Sequence, residues 1–360
     1  MTMQRRLLIP VLLLAGAAVH AQDDQESGEG RYDTRYSVAA INDATFYANL
    51  RAPLPTVLNQ VLVEPSLGIR ERDRWNFSSS LIGLTASYSG TSTELRVRET
   101  YGGISAGDFD FMAGRKLLLW GTGYAFSAAG VLDPPRIATN PTDRLNINAG
   151  RDMIKADWVH GAHAISAAWS TAALAPAGSS LHDTTAVRYN VLVHEFDTSL
   201  ITGHDRGGDS FGGFTFTRVL GQAWEVHGET MWREQAAVLV GAKYTFSGIT
   251  CIGEFYTPPN IAYYRDPGVS ALAGRQHYAF VDAGKARLRE RPSWKEWSVS
   301  GAIVANLDDH SYTGVFDTSR WFGNHFSAYV HLEAPRGSRT SHYGSAPFSA
   351  ATSAGIRFQL

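Results

Sequence analysis

Apolar and polar residues alternate along most of the chain, and segment 323–334 shows the pattern clearly. The apolar positions on one side are Phe326, Ala328, Val330, Leu332 and Ala334. The intervening positions are His325, Ser327, Tyr329, His331 and Glu333. Because successive side chains of a strand point to opposite faces, this alternation predicts a β-strand with one apolar and one polar face.

The same split recurs in segments 185–193, 223–232 and 236–246, and it extends to the last residues of the chain. Segment 350–360 predicts a closing strand, and the pattern before it predicts strands at 324–335, 311–321, 294–306, 275–286, 248–258, 235–246, 222–232, 210–219, 194–204, 183–193, 163–172, 150–160, 108–118, 92–103 and 75–88. Two more strands are expected within 35–73. The total is about 18 strands, or about 16 if the region before residue 75 is less regular.

The predicted connections fall into a long and a short set. Segments 119–149, 173–182, 259–274 and 336–349 are long, whereas Gly161-Ala162, Leu220-Gly221, Ser247-Gly248 and Phe322-Gly323 predict tight turns. If the strands are antiparallel neighbours, each set lies at one end of the sheet. Outer-membrane barrels have this asymmetry, with short periplasmic turns and long outer loops.

The first 21 residues have the features of a secretory signal peptide. Two arginines precede a short apolar run, and small residues ending at Ala21 suit a cleavage site. We therefore expect a signal peptide at 1–21, a polar lead-in at 22–34 and one domain at 35–360. Charged residues make up 18% of the chain, a fraction below what is usual for soluble domains, and the net charge is only −2.

A closed sheet fits these observations because it pairs every backbone polar group without leaving an edge in lipid. A soluble sandwich would have the same alternation with its apolar face turned inward. The signal peptide and the aromatic residues near strand ends favour the membrane alternative. The predicted fold is all-β, a single antiparallel transmembrane β-barrel, exported to a Gram-negative outer membrane and in contact with its lipid and its assembly machinery.

Two stretches resemble a known family. Gly114 to Phe126, with Gly114-Arg115 and Trp120-Gly121, resembles a strand-and-loop signature of outer-membrane barrels related to alginate export and to porin-like proteins. The stretch Ala305 to Ser311 resembles a hairpin near the C-terminal end of those proteins. The resemblance implies a barrel and transport, and the alginate exporters imply a path lined by basic residues. This sequence departs from them because its predicted lumen has charges of both signs.

The long segment from Gly121 to Ala149 is the part expected to control passage. Two proline clusters fix its backbone, and the adjacent charged residues are Asp133, Arg136, Asp143 and Arg144. Porin-type barrels narrow their lumen with such a loop. The alternative is an ordered cap at the outer surface without a constriction.

Charged positions on the predicted lumen face separate by sign along the chain. The basic ones come early, namely Arg96, Arg98, Arg151, Lys155 and Arg188. The acidic ones come late, namely Glu225, Glu229, Glu254, Glu296 and Glu333. Because strands far apart in sequence face each other across a barrel, the two sets predict opposite walls and a transverse field. The alternative is that these charges pair with neighbours on their own wall.

Candidate catalytic pairs are few. Asp205, Asp308 and Glu333 each lie within two residues of a histidine, but the sequence has no nucleophile motif such as G-x-S-x-G. The twelve histidines show no metal-ligand spacing, and the charge balance does not favour a nucleic-acid partner. We expect no enzyme, no metal and no cofactor.

The function that the sequence favours is an outer-membrane channel for small polar solutes or saccharides. The alternatives are an export or assembly barrel for an extracellular polysaccharide, and a structural barrel with a closed lumen. All three follow from the same pattern, because a folded-in loop can narrow a lumen or seal it.

Overall fold

The chain folds into one closed antiparallel β-barrel of eighteen strands. The computed structural model describes residues 32–360 except 52–54, 72–73, 88–89, 135, 141–143, 146, 174–182, 207–208, 259–275 and 286–295. The predicted signal peptide and most of the predicted lead-in lie outside the described residues. Within that part of the chain, no helix is long and apolar enough to cross a membrane.

The strands follow one another around the barrel in the order of the sequence. They are β1 (Tyr32–Ala48), β2 (Val57–Glu71), β3 (Trp75–Ser87), β4 (Thr91–Ala106), β5 (Phe109–Lys116), β6 (Arg151–His160), β7 (His163–Thr171), β8 (Thr184–Val193), β9 (Phe196–Asp205), β10 (Ser210–Leu220), β11 (Trp224–Trp232), β12 (Ala236–Phe246), β13 (Ile249–Thr257), β14 (Tyr278–Lys285), β15 (Trp297–Asn306), β16 (Ser311–Phe322), β17 (Phe326–Arg336) and β18 (Ala350–Gln359).

The ring closes where β1 pairs with β18, in a register that runs from Ala39 opposite Gln359 to Ala48 opposite Ala350. Every strand therefore has two neighbours, and no sheet edge is left open. The prediction of about eighteen strands is confirmed, and the alternative of sixteen is wrong because the region before residue 75 contains two long, regular strands.

The outer face of the barrel is apolar, and the inner face carries polar side chains together with a cluster of buried apolar ones. Leu95 and Val281 are 75% and 59% exposed on the outside. In β17, Val330 and Leu332 point outward while Ser327 and His331 are buried toward the lumen. The alternation read from the sequence therefore assigns these side chains to the correct faces.

The four predicted tight turns lie at one end of the barrel and the four predicted long connections lie at the other, because consecutive strands are antiparallel. Gly161 and Gly323 are in the left-handed region, with φ of 59° and 71°, which lets a turn of few residues reverse the chain. We call this the turn end. At the loop end, segments 259–274 and most of 173–182 lie outside the described residues.

The connection between β5 and β6, residues 117–150, folds into the lumen instead of standing above the rim; we call it the inserted loop. Ala125, Ala128 and Ala129 are fully buried although they belong to no strand. They pack in one cluster with wall residues that include Leu239 and Val304. The main apolar core of this protein therefore lies inside the barrel, between the inserted loop and the wall.

Candidate constriction site in the lumen

The two ends of the inserted loop are fixed to the neighbouring strand β4. The backbone N–H of Leu117 donates to Oε1 of Glu99 at 2.8 Å. The backbone N–H of Gly150 donates to the carbonyl of Arg98, also at 2.8 Å. The loop therefore leaves the wall and returns to it at nearly one place, and the residues between are free to reach across the lumen.

Glu229 on β11 is the first anchor of the loop on the far wall. Glu229 is 2% exposed. One oxygen of its carboxylate, Oε1, accepts hydrogen bonds from the backbone N–H groups of Thr122 and Gly123. The other oxygen accepts from the N–H groups of Ala128 and Ala129, at 2.6 and 2.7 Å. Four backbone donors without strand partners are satisfied by one buried charge.

Glu254 on β13 is the second anchor and binds the segment between those two contacts. It accepts from the backbone N–H groups of Tyr124, Ala125 and Phe126. Nε2 of His227, which is also fully buried, lies 3.0 Å from Oε1 of Glu254. Residues 122–129 therefore wrap around two carboxylates, with backbone donors facing each of them.

Glycines and Asp133 shape this part of the loop. A side chain at Gly123 would place its Cβ 2.3 Å from the carbonyl oxygen of Phe126, so only glycine fits the turn. The carboxylate of Asp133 closes the turn by accepting from the N–H groups of Trp120 and Gly121, at 2.6 and 3.1 Å. Burial raises the pKa of Asp133 above its usual value, although these backbone donors and Arg136 oppose that shift.

Aromatic contacts add an apolar component to the docking. The ring of Phe126 stacks on Tyr256 with centroids 4.9 Å apart, and it also contacts Tyr278 at 5.9 Å. The hydroxyl of Tyr124 donates to Glu225 at 2.7 Å, and Lys243 binds both groups. Residues 120–133 are therefore held to β11–β14 by charge, hydrogen bonds and packing together.

The later part of the loop reaches a third place on the wall, where β18 meets β1. Arg144 lies 3.3 Å from the fully buried Asp43 and donates to Ser353 at 3.2 Å. Arg357 donates to the backbone carbonyl of Arg144 at 2.6 Å. Of the predicted constriction residues, Asp133, Arg136 and Arg144 lie in this arrangement, and Asp143 lies outside the described residues.

The three attachment regions are spread around the barrel. They lie on β4, on β11–β13 and on the junction of β18 with β1, which are well separated in the ring of eighteen strands. A loop that touches three such separated places must cross the space between them. The inserted loop therefore occupies part of the lumen.

Most of the predicted basic lumen residues have an acidic or polar neighbour on their own wall. Arg98 pairs with Glu64 at 2.6 Å, and Nε of Arg188 donates to Ser199 at 2.9 Å. Arg96 pairs with Glu94, and Lys155 pairs with Asp157. Arg151 begins β6 at the end of the inserted loop. Local pairing of this kind weakens any field across the lumen.

The predicted acidic lumen residues have several different surroundings. Glu225 pairs with Lys243 at 2.6 Å, whereas Glu229 and Glu254 bind the inserted loop. Glu333 lies near Arg144 and His331 on the inner wall. Glu296 lies in the turn before β15, where Arg320 is 3.5 Å away. The late-strand carboxylates therefore do not form one uniform acidic wall.

The histidine pairs considered from the sequence have other partners. Nδ1 of His331 lies 2.8 Å from Asp317. Asp308 is bound by the backbone and ring of His277 at the loop end. Asp205 accepts from Thr184 and pairs with Arg233. None of these described contacts places a nucleophile beside a general base.

Sequence reasoning did not identify Asp43 and His227 as part of the site, nor Glu229 and Glu254 as anchors of the loop. One signal was present in the sequence. Glycines at 121, 123 and 130 make a backbone that can turn several N–H groups toward one anion, and buried carboxylates occur on later strands. The pairing of these two features is visible only in three dimensions.

No protein-family model matches the chain, and no curated protein sequence matches it. Solved structures do. The fold is similar to that of OccK11 (OpdR) of Pseudomonas aeruginosa, with a TM-score of 0.61, 9% identity, and coverage of 91% of this chain and 96% of that one. It is also similar to OccK5 (OpdH) of the same organism, with a TM-score of 0.59, 8% identity, and coverage of 91% and 98%.

A third similar structure is a mutant of the porin of Rh. blastica, with a TM-score of 0.50, 9% identity, and coverage of 91% of this chain and 100% of the porin. At such low identity these likenesses concern the fold. They do not confirm the resemblance to alginate exporters, which stays a prediction. What they show is that this chain has the architecture of bacterial porin barrels, over nearly its whole described length.

Proposed function

We propose that the protein is an outer-membrane channel of a Gram-negative bacterium, through which small polar solutes or saccharides pass along the barrel lumen. Its outer face contacts lipid, and the outer-membrane assembly machinery inserts it after export by the signal peptide at 1–21. The proposal includes no catalytic step and no cofactor.

The inserted loop carries the proposal. The loop is a connection held to the inner wall at three separated places. In this chain, buried carboxylates of Glu229 and Glu254 fix that connection in one position. A fixed constriction with polar rims selects solutes by size and polarity.

The apolar outer face supports the location. Large apolar side chains such as Leu95, Val281 and Ile356 are more than half exposed to the outside. In water such a surface would cause aggregation, whereas lipid stabilises it. The likeness to a porin of Rh. blastica agrees with this assignment at the level of the fold.

Single-channel recording in planar bilayers tests the function. The purified barrel should give stable ionic steps, because polar groups line the space beside the inserted loop. A variant lacking residues 122–132 should give larger steps, since the constriction is gone. Silence of the wild type together with large steps of the deletion variant would contradict a channel and favour a closed structural barrel.

Export of a polymer is less well supported. A polysaccharide chain needs a continuous wide path, and the inserted loop lies across that path with Ala125, Ala128 and Ala129 fully buried. Its anchors would have to release for every passage. For this reason we favour small solutes.

A further inference from the structure

A hollow opens in the inner wall of β15–β18, on the turn-end side of the inserted loop, and we call it the recess. It holds about 720 Å³ of space, part of it continuous with solvent in the lumen. Arg144 of the inserted loop, Arg357, Tyr329 and Trp321 contribute to its lining. A solute that passes the constriction would meet the recess next.

Serine hydroxyls line the recess, and three of them have no hydrogen-bond partner in the part of the chain that the structure describes. The side chains of Ser298, Ser300 and Ser319 make no hydrogen bond to another described residue. Elsewhere on the wall, hydroxyls pair with one another, as Ser37 does with Ser66 at 2.6 Å. The hydroxyls of the recess are therefore available as donors and acceptors for a bound molecule.

An aromatic ring lies beside these hydroxyls. Trp321 is on the inward positions of β16, together with Asp317 and Ser319, whereas Trp297 on the adjacent strand lies on the outer face. A large flat ring on the lumen side of a barrel provides an apolar surface of the size of a sugar ring. The CH face of a pyranose can stack on such a ring while its hydroxyls reach the serines.

The charges around the recess are mixed, which favours a neutral ligand. Arg357 has no carboxylate within ion-pair distance among the described residues, and it already donates to the carbonyl of Arg144. Arg144 itself lies 3.3 Å from Asp43. The carboxylate of Asp317, which also lines the recess, would repel an anion but could accept a hydrogen bond from a hydroxyl.

We propose that the recess is a binding subsite for a neutral, polyhydroxylated solute with a sugar-like ring, which stacks on Trp321 and bonds to the serines and Arg357. This rests on the proposed channel function and names the solute class for it. Binding here holds the solute on the turn-end side of the constriction and makes its return through the constriction less frequent.

The test measures binding and conductance separately on the full barrel in detergent micelles and in bilayers. Saturation-transfer NMR with maltose as the probe should show saturable binding with a dissociation constant on the order of millimolar. Trp321→Ala should weaken it by about tenfold, the loss expected for one stacked aromatic ring. Trp321→Phe should keep most of the binding, and Trp297→Ala, on the outer face, should keep all of it.

Three results would overturn the subsite. They are no saturable binding of maltose to a conducting barrel, a loss of maltose binding in Trp297→Ala equal to that in Trp321→Ala, or tighter binding of gluconate than of maltose. The last would mean that the recess binds anions. A barrel that binds maltose but does not conduct would instead contradict the proposed function and leave the subsite supported.

Discussion

Replacing Glu229 by glutamine tests how the inserted loop is held. The two carboxylate oxygens each accept from two backbone N–H groups, those of Thr122 and Gly123 on one side and of Ala128 and Ala129 on the other. An amide keeps one acceptor oxygen. Its NH₂ group would face the remaining pair of donors, which would then be buried without an acceptor.

The magnitude follows from those two lost bonds. A buried donor left without an acceptor costs about 1–3 kcal/mol, so the docked state of residues 122–129 should lose roughly 2–6 kcal/mol. A loss near the lower half of that range, about 3 kcal/mol, raises the undocked fraction by about a hundredfold. The barrel itself should stay folded, because β11 pairs with β10 and β12 through backbone groups, which the substitution of the Glu229 side chain leaves in place.

Hydrogen exchange of the amides of Gly123, Ala128 and Ala129 measures this change directly, and single-channel recording should show larger and noisier steps. Glu225→Gln is the comparison variant, because Glu225 lies on the same strand and face and, among the described residues, bonds to the side chains of Tyr124 and Lys243 and to no backbone N–H of the loop. It removes one side-chain contact of the loop and should therefore accelerate the exchange much less. Unchanged exchange in Glu229→Gln, or equal acceleration in Glu225→Gln, would refute the anchoring.

Three further predictions concern topology, the lipid face and pH. The free Cys251 is first replaced by serine, so that the only thiol is the one introduced. Ser338→Cys should then react with an impermeant maleimide on intact cells and Ala162→Cys should not, because the two positions lie at opposite ends of the barrel. Labelling at Ala162 would mean that the orientation is reversed. Val330→Arg should lower the free energy of unfolding by about 2–4 kcal/mol in a urea titration, because the proposed function places that residue in lipid. Ser300→Arg, at a half-buried inward position of β15, should cost less, and a larger loss there than at Val330 would mean that the faces are exchanged. The pKa of Asp133 is raised in the docked state, so docking of the loop should strengthen as the pH falls through that pKa and weaken again toward neutral pH. Asp133→Asn should remove this pH dependence from the hydrogen exchange of the Trp120 amide. An identical pH profile in the variant would exclude Asp133 as its source.

The strands could be predicted because their cause is local. A residue such as Val330 or Leu332 points to the outside of the barrel, and a period of two then places its neighbours toward the lumen. The number of strands followed from this alternation and from glycine turns such as Gly161 and Gly323. The prediction that the long early loop enters the lumen is consistent with the structure, although the loop begins and ends a few residues outside the predicted 121–149.

The anchors could not be predicted because their cause is not local. Glu229 was assigned to the lumen face from its position in β11, but its partners are backbone groups 107 residues away in sequence at Thr122. Alternation reports which way a side chain points and says nothing about what meets it there. The two-walled lumen was inferred in the same way. Two ion pairs show how a charge can be balanced on its own side of the barrel: Lys243 with Glu225 joins neighbouring strands, and Arg98 on β4 reaches Glu64 on β2 across β3.

The closure of the ring through β1 and β18 has a consequence for the order of folding. Partners such as Thr45 and Ser353 are 308 residues apart, so this seam cannot form until almost the whole chain is present. The inserted loop is made early, yet its acceptors on β11 and β13 are made later. Until those strands arrive, the loop is a stretch of unsatisfied backbone donors that needs water, and its docking must be a late event in maturation. A stalled or truncated chain that ends before β13 would therefore expose this segment to proteases, whereas the completed barrel would protect it.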